Sequence, residues 1–209
     1  MKRSKNAGEV FNVAFFVSGR GSNFSAVLEK VKNGDLSINI PLVVSSSQTA
    51  GANETAKAEN IDLFLANKEN QSEILSVLKE KNIDLIVLAG YLKKIPDEIV
   101  SEYKNKIINI HPALLPSFGG KGMFGENVHS AVIDRGAKIS GLTIHLVDEH
   151  YDNGAILFQK AVDVLPSDSP SDLGARILKE EHDSLWRVIK AFSENRVNIS
   201  GNKAETTNV

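Results

Sequence analysis

The chain is expected to adopt an α/β fold: one mostly parallel, twisted sheet flanked by helices, with an antiparallel pair of strands toward the C-terminal part. Three observations predict it. Short apolar runs alternate with helix-forming segments along most of the 209 residues. Two of those runs, Ile38 to Val44 and Leu85 to Ala89, are nearly continuous in apolar residues, as strands covered on both faces are. Near the end, Ile139 to Val147 and Ala155 to Val164 are joined only by the acidic turn Asp148 to Gly154, which suits antiparallel pairing.

Taken in order, Val13 to Val17 reads as a strand that runs into Ser18-Gly19-Arg20-Gly21-Ser22-Asn23 and then into a helix from Phe24 to Val31. Ile38 to Val44 is the second strand, followed by a polar, Ala-rich segment from Ala50 to Glu59 and a short apolar piece at Leu63 to Leu65. Asn70 with Glu73 has the spacing of a capping box, and Ile74, Leu75 and Leu78 supply the apolar stripe of the helix behind it. After the strand Leu85 to Ala89 come a short helix near Asp97 to Tyr103 and a strand from Lys106 to Ile110. A long loop rich in Pro and Gly then runs from His111 to Gly125, and Val128 to Arg135 forms a helix. Ser169 and Pro170 make a cap with proline at the first helical position, and Leu178, Leu185, Ile189 and Phe192 continue at helical spacing as a long docking helix. The whole reads as a single domain, Rossmann-like, over residues 11–197, with flexible tails at 1–10 and 198–209; the polar stretch Gly201 to Val209 is expected to be disordered.

Composition narrows the function. With 24 basic against 26 acidic residues the formal charge is -2, which gives no electrostatic reason for nucleic acid or an anionic membrane as partner. No apolar run approaches the ~20 residues that cross a bilayer, and Met1 to Val10 lacks the apolar core of a secretory leader. The absence of cysteine excludes disulfides, thiolate metal sites and cysteine nucleophiles, and favours a cytoplasmic location.

Two segments carry chemistry. The glycine-rich stretch Ser18 to Asn23 lies between a strand and a helix, where successive amides and the helix N-terminus attract an anion. Its glycines equally suit a purely structural turn, and the pattern is neither a Walker loop nor the full dinucleotide fingerprint. Asn109-Ile110-His111-Pro112 ends a strand, where open α/β sheets place their ligand crevices. Residues 109 and 111 project to one side, so an amide and an imidazole there could stabilise an oxyanion and move protons; an ordinary polar pair at a strand end has the same pattern. His129, His145 and His150 with Asp148 and Asp152 match no standard zinc spacing and read as satisfied or solvated side chains.

The continuation Asn109-Ile110-His111-Pro112-Ala113-Leu114-Leu115-Pro116, with the later Val147-Asp148-Glu149-His150-Tyr151-Asp152-Asn153-Gly154, resembles the folate-dependent formyltransferases. Ser18 to Asn23 is similar to the phosphate loop of the members acting on a ribosyl glycinamide phosphate, and Leu88-Ala89-Gly90-Tyr91 to their folate-side strand end. The resemblance runs from about Val13 to Phe192. It implies transfer of a formyl group from 10-formyltetrahydrofolate, a co-substrate, to the amine of N1-(5-phospho-D-ribosyl)glycinamide, a step of de novo purine (IMP) biosynthesis. It further implies direct transfer through a tetrahedral intermediate, with no metal and no nicotinamide.

Carried over residue by residue, the resemblance makes Asn109, His111 and Asp152 the catalytic trio, with Asp152 orienting His111 and favouring its protonated form. Gly21, Ser22, Asn23 and Glu181 become substrate-binding residues, and Arg20, where some members carry an uncharged polar residue, either adds affinity or is solvated. Lys68, Leu92, Lys93, Lys94, Ile95 and Asn109 take the folate side, with Lys68 meeting the folate tail. Asp152-Asn153-Gly154 departs from the frequent Asp-Gly-Gly, which the turn tolerance of Asn accommodates. The loop 118–125 reads as a mobile flap, and His182 as a core histidine. Length sets the chain apart from methionyl-tRNA formyltransferase and formyltetrahydrofolate hydrolase, which resemble this domain plus an extension. The alternatives kept are a hydrolase-like enzyme of that kind and a non-catalytic phosphoribosyl-binding module.

Overall fold

The computed structural model describes residues 10–207 and 209. The expected flexible segment 1–10 therefore lies outside the described residues except for the exposed Val10. Strands β1 (Asn12–Val17), β2 (Asn39–Ser45), β3 (Asp62–Leu65), β4 (Leu85–Leu88) and β5 (Ile107–His111) are all parallel, in the spatial order β3-β2-β1-β4-β5. Strands β6 (Ile139–Leu146) and β7 (Ile156–Asp163) extend the same sheet antiparallel, as the sequence predicts. Helices α1 (Ser22–Lys32), α2 (Gly51–Ala58), α3 (Ile74–Glu80), α4 (Asp97–Glu102), α5 (Glu126–Asp134) and α6 (Pro170–Ser193) complete the layers.

Helices are needed on both faces because the central strands bury both. Along β1, Val13, Phe15 and Val17 enter one core with Phe24, Ile177 and Leu185, whereas Ala14 and Phe16 enter a second core with Leu78, Ile86 and Ile99. That alternation is the two-residue period of a strand, so one short run feeds two apolar layers. α6 starts where its sequence says: Asp172 N–H donates to Ser169 Oγ at 3.2 Å, Asp172 Oδ2 accepts from Ser169 N–H at 3.0 Å, and Pro170 follows the cap. Among the described residues no helix is long and apolar enough to cross a membrane.

The topology places the site. From β1 the chain builds outward through β2 and β3, then crosses back to β4 on the other side of β1. The order reverses between β1 and β4, and in open sheets such a switch point leaves a crevice beyond the carboxyl ends of the strands.

Two local expectations are corrected. No capping box forms at Asn70: Asn70 Oδ1 instead accepts from Asn67 N–H at 2.8 Å, its own amide donates to the Leu65 carbonyl, and a single 3-10 turn (Gln71–Glu73) precedes α3. An Asn side chain with closer backbone partners closes its own turn rather than capping a helix. The segment expected to be a disordered tail forms a hairpin, β8 (Val197–Ser200) with β9 (Lys203–Thr206). Val197, Ile199 and Ala204 pack against the core, and Thr206 Oγ1 donates to the Leu157 carbonyl at 3.1 Å. The period-two pattern was present but short, and Gly201 supplies the positive φ of 59° that its two-residue loop needs.

One stability prediction arises here. Gly21 has φ 76°, and a Cβ on it would lie 2.5 Å from Ala52 Cβ. Gly21→Ala is therefore expected to lower unfolding stability by about 2–4 kcal/mol in urea titration, from strain and overlap together.

Candidate active site

A cavity of about 1010 Å³ opens at the switch point, large enough for two small ligands end to end. One end is the turn between β1 and α1. Gly21, in the left-handed conformation, precedes the first turn of α1, and Gly21, Ser22 and Asn23 line the cavity. Ser18 holds this turn: its hydroxyl lies 2.5 Å from that of Ser46 and accepts from Leu92 N–H at 2.9 Å, joining the turn to the segment after β4. Asn23 is buried and donates through Nδ2 to Glu181 Oε2 of α6 at 2.8 Å. Glu181 is 7% exposed, and burial pushes its carboxyl up to about 7 against the lowering effect of Asn23.

That shift has a consequence for stability. The folded state holds the Glu181 proton more tightly than the unfolded chain, so stability falls as pH rises from about 4.5 through about 7. Glu181→Gln, which cannot ionise, is expected to be more stable than the natural chain by roughly 2–3 kcal/mol at pH 8, with the difference vanishing below pH ~4.5. Urea unfolding at the two pH values checks this, and an equal gain at both would contradict it.

At the other end of the cavity β5 delivers Asn109 and His111, and the turn after β6 delivers Asp152. His111 is 3% exposed. Its Nε2 lies 2.9 Å from the Phe118 carbonyl, which can only accept, so Nε2 carries a proton and Nδ1 is the free position in the neutral ring. Nδ1 faces Asp152 Oδ2 at 3.7 Å. Burial holds His111 below the usual imidazole range; this outweighs the opposing pull of Asp152. Asp152 pulls toward the charged ring, as expected, but desolvation is the larger effect and the neutral form is favoured.

Asp152 is fixed by several donors. Its Oδ2 accepts from Gly120 N–H at 2.8 Å, and Oδ1 lies 3.4 Å from Asn109 Nδ2 and 3.5 Å from His145 Nε2. Burial alone would raise this carboxyl, but the nearby His145, the hydrogen bond from Gly120 N–H and the nearby His111 together hold it below the usual range. Asp152 itself adopts a positive φ of 52°, so the unusual turn geometry expected at Asn153 falls one residue earlier. Asp148 organises the same turn, accepting from His150 N–H and Asn153 Nδ2, while Gly154 is required because a Cβ there would be 1.9 Å from the Leu146 carbonyl oxygen.

His145, read from the sequence as an ordinary satisfied histidine, belongs to this network. It sits opposite Asn109 in the β5–β6 ladder, and its Nε2 is 3.1 Å from Asn109 Nδ2. Nδ1 donates to the Leu146 carbonyl at 2.7 Å, leaving Nε2 as acceptor for the Asn109 amide in the neutral ring. One Asn109 N–H is thereby used, and the other, at 3.4 Å from Asp152, makes only a long contact. Only strand register reveals this partner, and the sequence does not state register.

Between the two ends, Leu92, Lys93, Lys94 and Ile95 line the wall after β4. Lys93 Nζ donates to the Ala66 carbonyl at 3.2 Å and Lys94 Nζ to Asp97 Oδ1 at 2.8 Å, so both ammonium groups are already engaged. Lys68 is the exception among the expected residues: it is exposed on the 66–70 turn and outside the lining. Arg20 is exposed at the turn between β1 and α1 and lines the cavity. Gly120 to Gly125 line the cavity, and the 118–125 loop is tied at its start through the Phe118 carbonyl and Gly120 N–H to His111 and Asp152. Asp148, Glu149 and His150 offer ligand atoms within 4.8 Å of one another, with the Asp148 carboxylate already bonded within its turn.

A cavity with a helix N-terminus at one end, and an amide, an imidazole and a carboxylate at the other, suits acyl-group transfer between two ligands meeting in the middle. Comparison with known proteins points the same way. A family model described as formyl transferase matches residues 11–189. The chain is 42% identical over 193 residues to the chloroplastic phosphoribosylglycinamide formyltransferase of Arabidopsis thaliana, an alignment covering 88% of this chain and 66% of that protein. The chain thus spans slightly less than two thirds of the plant relative's length. It is 33% identical over 199 residues to the phosphoribosylglycinamide formyltransferase of Haemophilus influenzae, covering 92% of each. In three dimensions it is similar to glycinamide ribonucleotide transformylase 1 from Symbiobacterium toebii, with a TM-score of 0.88 and 30% identity over 97% of this chain and 98% of that one.

Proposed function

The chain belongs to the formyl transferase family, and from that premise we propose that it moves the formyl group of 10-formyltetrahydrofolate onto the amine of glycinamide ribonucleotide, a step of purine biosynthesis. One observation carries the reading: a single cavity joins the amide-lined turn at Gly21, Ser22 and Asn23, with Glu181 beside it, to Asn109, His111 and Asp152. The turn and Glu181 take the phosphoribosyl end, and the segment from Leu92 to Ile95 takes the folate.

The amine attacks the formyl carbon, a new C–N bond forms, and the carbonyl oxygen becomes an oxyanion. Asn109 donates its loosely held N–H to that oxygen. His111 takes the amine proton at Nδ1, and the imidazolium so formed is stabilised by Asp152 and by the oxyanion. The bond to the folate nitrogen then breaks, and the proton passes to that nitrogen, giving the N-formyl product and tetrahydrofolate. Because the donor formyl group is already activated on nitrogen, these steps call on no metal ion and no nicotinamide. With no cysteine and a formal charge of -2, the chain suits a cytoplasmic enzyme of small molecules rather than of nucleic acid or membrane. The domain carrying this activity is taken as residues 11–197, with the hairpin that continues to Thr206 packed against it.

Initial rates with each substrate omitted in turn test the proposal. Tetrahydrofolate should appear only when both substrates are present. Equal release without glycinamide ribonucleotide would favour hydrolysis, and binding of the nucleotide without turnover would favour a non-catalytic module.

A further inference from the structure

His129 lines the cavity but has no part in the steps above. Only 8% of its surface is exposed, its Nδ1 is buried, and among the described residues neither ring nitrogen has a hydrogen-bond partner. Polar atoms in protein interiors are almost always paired, and of this unpaired ring Nε2, beside the cavity-lining Gly174 and not sealed from solvent, is the position that a ligand can satisfy. Burial lowers its proton affinity against the opposing pull of Glu126, which favours a neutral ring with one N–H and one lone pair.

The neighbouring helix is shaped around this ring. Gly174 lies inside α6, where glycine is costly relative to alanine. A Cβ on it would come within 2.9 Å of His129 Cδ2 and 3.0 Å of Nε2, so the missing side chain is what admits the imidazole. Ser171, Gly174, Leu178 and Glu181 all line the cavity at helical spacing. His129 therefore meets this wall two turns before Glu181, on the order of 10 Å away, toward the end where His111 stands.

We propose that His129 is a substrate-contacting residue for the acceptor, hydrogen-bonding the polar section of glycinamide ribonucleotide between its phosphate and its reacting amine. The assignment rests on the proposed function, deepens it, and makes Gly174 the positioning residue for the contact. It is tested on the full chain by calorimetric titration with glycinamide ribonucleotide and, separately, with tetrahydrofolate. His129→Phe keeps the ring volume and loses both polar atoms. It should weaken the nucleotide about tenfold while leaving tetrahydrofolate within twofold. His129→Gln, which retains a donor and an acceptor, should recover most of that loss. Gly174→Ala, which displaces the ring without touching its chemistry, should reproduce the nucleotide-selective weakening and serves as the test if His129→Phe fails to fold. Nucleotide affinity within twofold of the natural chain in these variants, or equal loss for both ligands, would overturn the assignment. If the unaltered protein binds no glycinamide ribonucleotide, the reading of function fails and the assignment with it. Binding by the unaltered protein with no change in the variants removes the assignment alone.

Discussion

Asp152→Asn is expected to lower kcat by about 10²–10⁴ while the KM values for both substrates stay within a few-fold. The substitution preserves shape and can still accept from Gly120 N–H, which is 2.8 Å from Oδ2. What it removes is the charge 3.7 Å from His111 Nδ1, the position that gains a proton in the proposed transfer. In the resting site burial already disfavours the charged imidazole, and Asp152, together with the Phe118 carbonyl, pulls the other way. Without it the imidazolium must form in a buried pocket with only the Phe118 carbonyl and the transient oxyanion as partners. The two residues act as one unit, so a double variant with His111→Ala should be far less damaged than the product of the single losses predicts. Rapid-quench measurement of a single turnover checks both statements. Multiplicative losses would contradict the coupling, and a large fall in folate affinity at unchanged kcat would place Asp152 in binding rather than proton transfer.

Asn109→Ala should cost about 10²–10³ in kcat, again with modest changes in KM. The reasoning is geometric. One amide N–H is committed to His145 Nε2 at 3.1 Å, and the other makes only the 3.4 Å contact to Asp152, so the second can turn to a developing oxyanion at little cost. Since His145 Nδ1 is itself anchored to the Leu146 carbonyl, the amide is pre-aimed rather than free to rotate. Steady-state kinetics with each substrate varied separates the outcomes: a rise in KM with kcat intact would mean that Asn109 binds ground state and transition state alike.

Much of this was legible in the residues. Continuous apolar runs such as Val13 to Val17 announce strands covered on two faces, and the structure divides that run between two cores. Ser169-Pro170 marks the start of α6 because capping is local chemistry, readable without knowing the rest of the fold. Asn70 and Glu73 have similar local chemistry, but the amide found nearer partners at Asn67 and Leu65, which spacing cannot foresee. The hairpin 197–206 was missed because its strands are only four residues each and gain their stability from contacts with the core. Within the site, the expected residues of the phosphate loop, the trio and the segment 92–95 all line one cavity. Their places follow from the ends of strands and helices, which the sequence pattern locates. His145 and His129 depend instead on register across a sheet and on a helix packing distance, so each looks like an isolated histidine along the chain. Lys68 stands apart from these residues, exposed in its turn and outside the cavity lining.

The central claim is that the acceptor amine, not water, receives the formyl group. The direct measurement is to supply 10-formyltetrahydrofolate labelled in its formyl carbon together with glycinamide ribonucleotide and to follow the label. The account predicts one equivalent of label in the N-formyl ribonucleotide for each tetrahydrofolate formed, and none in formate. Label recovered as formate at the same rate whether or not the ribonucleotide is present would contradict it.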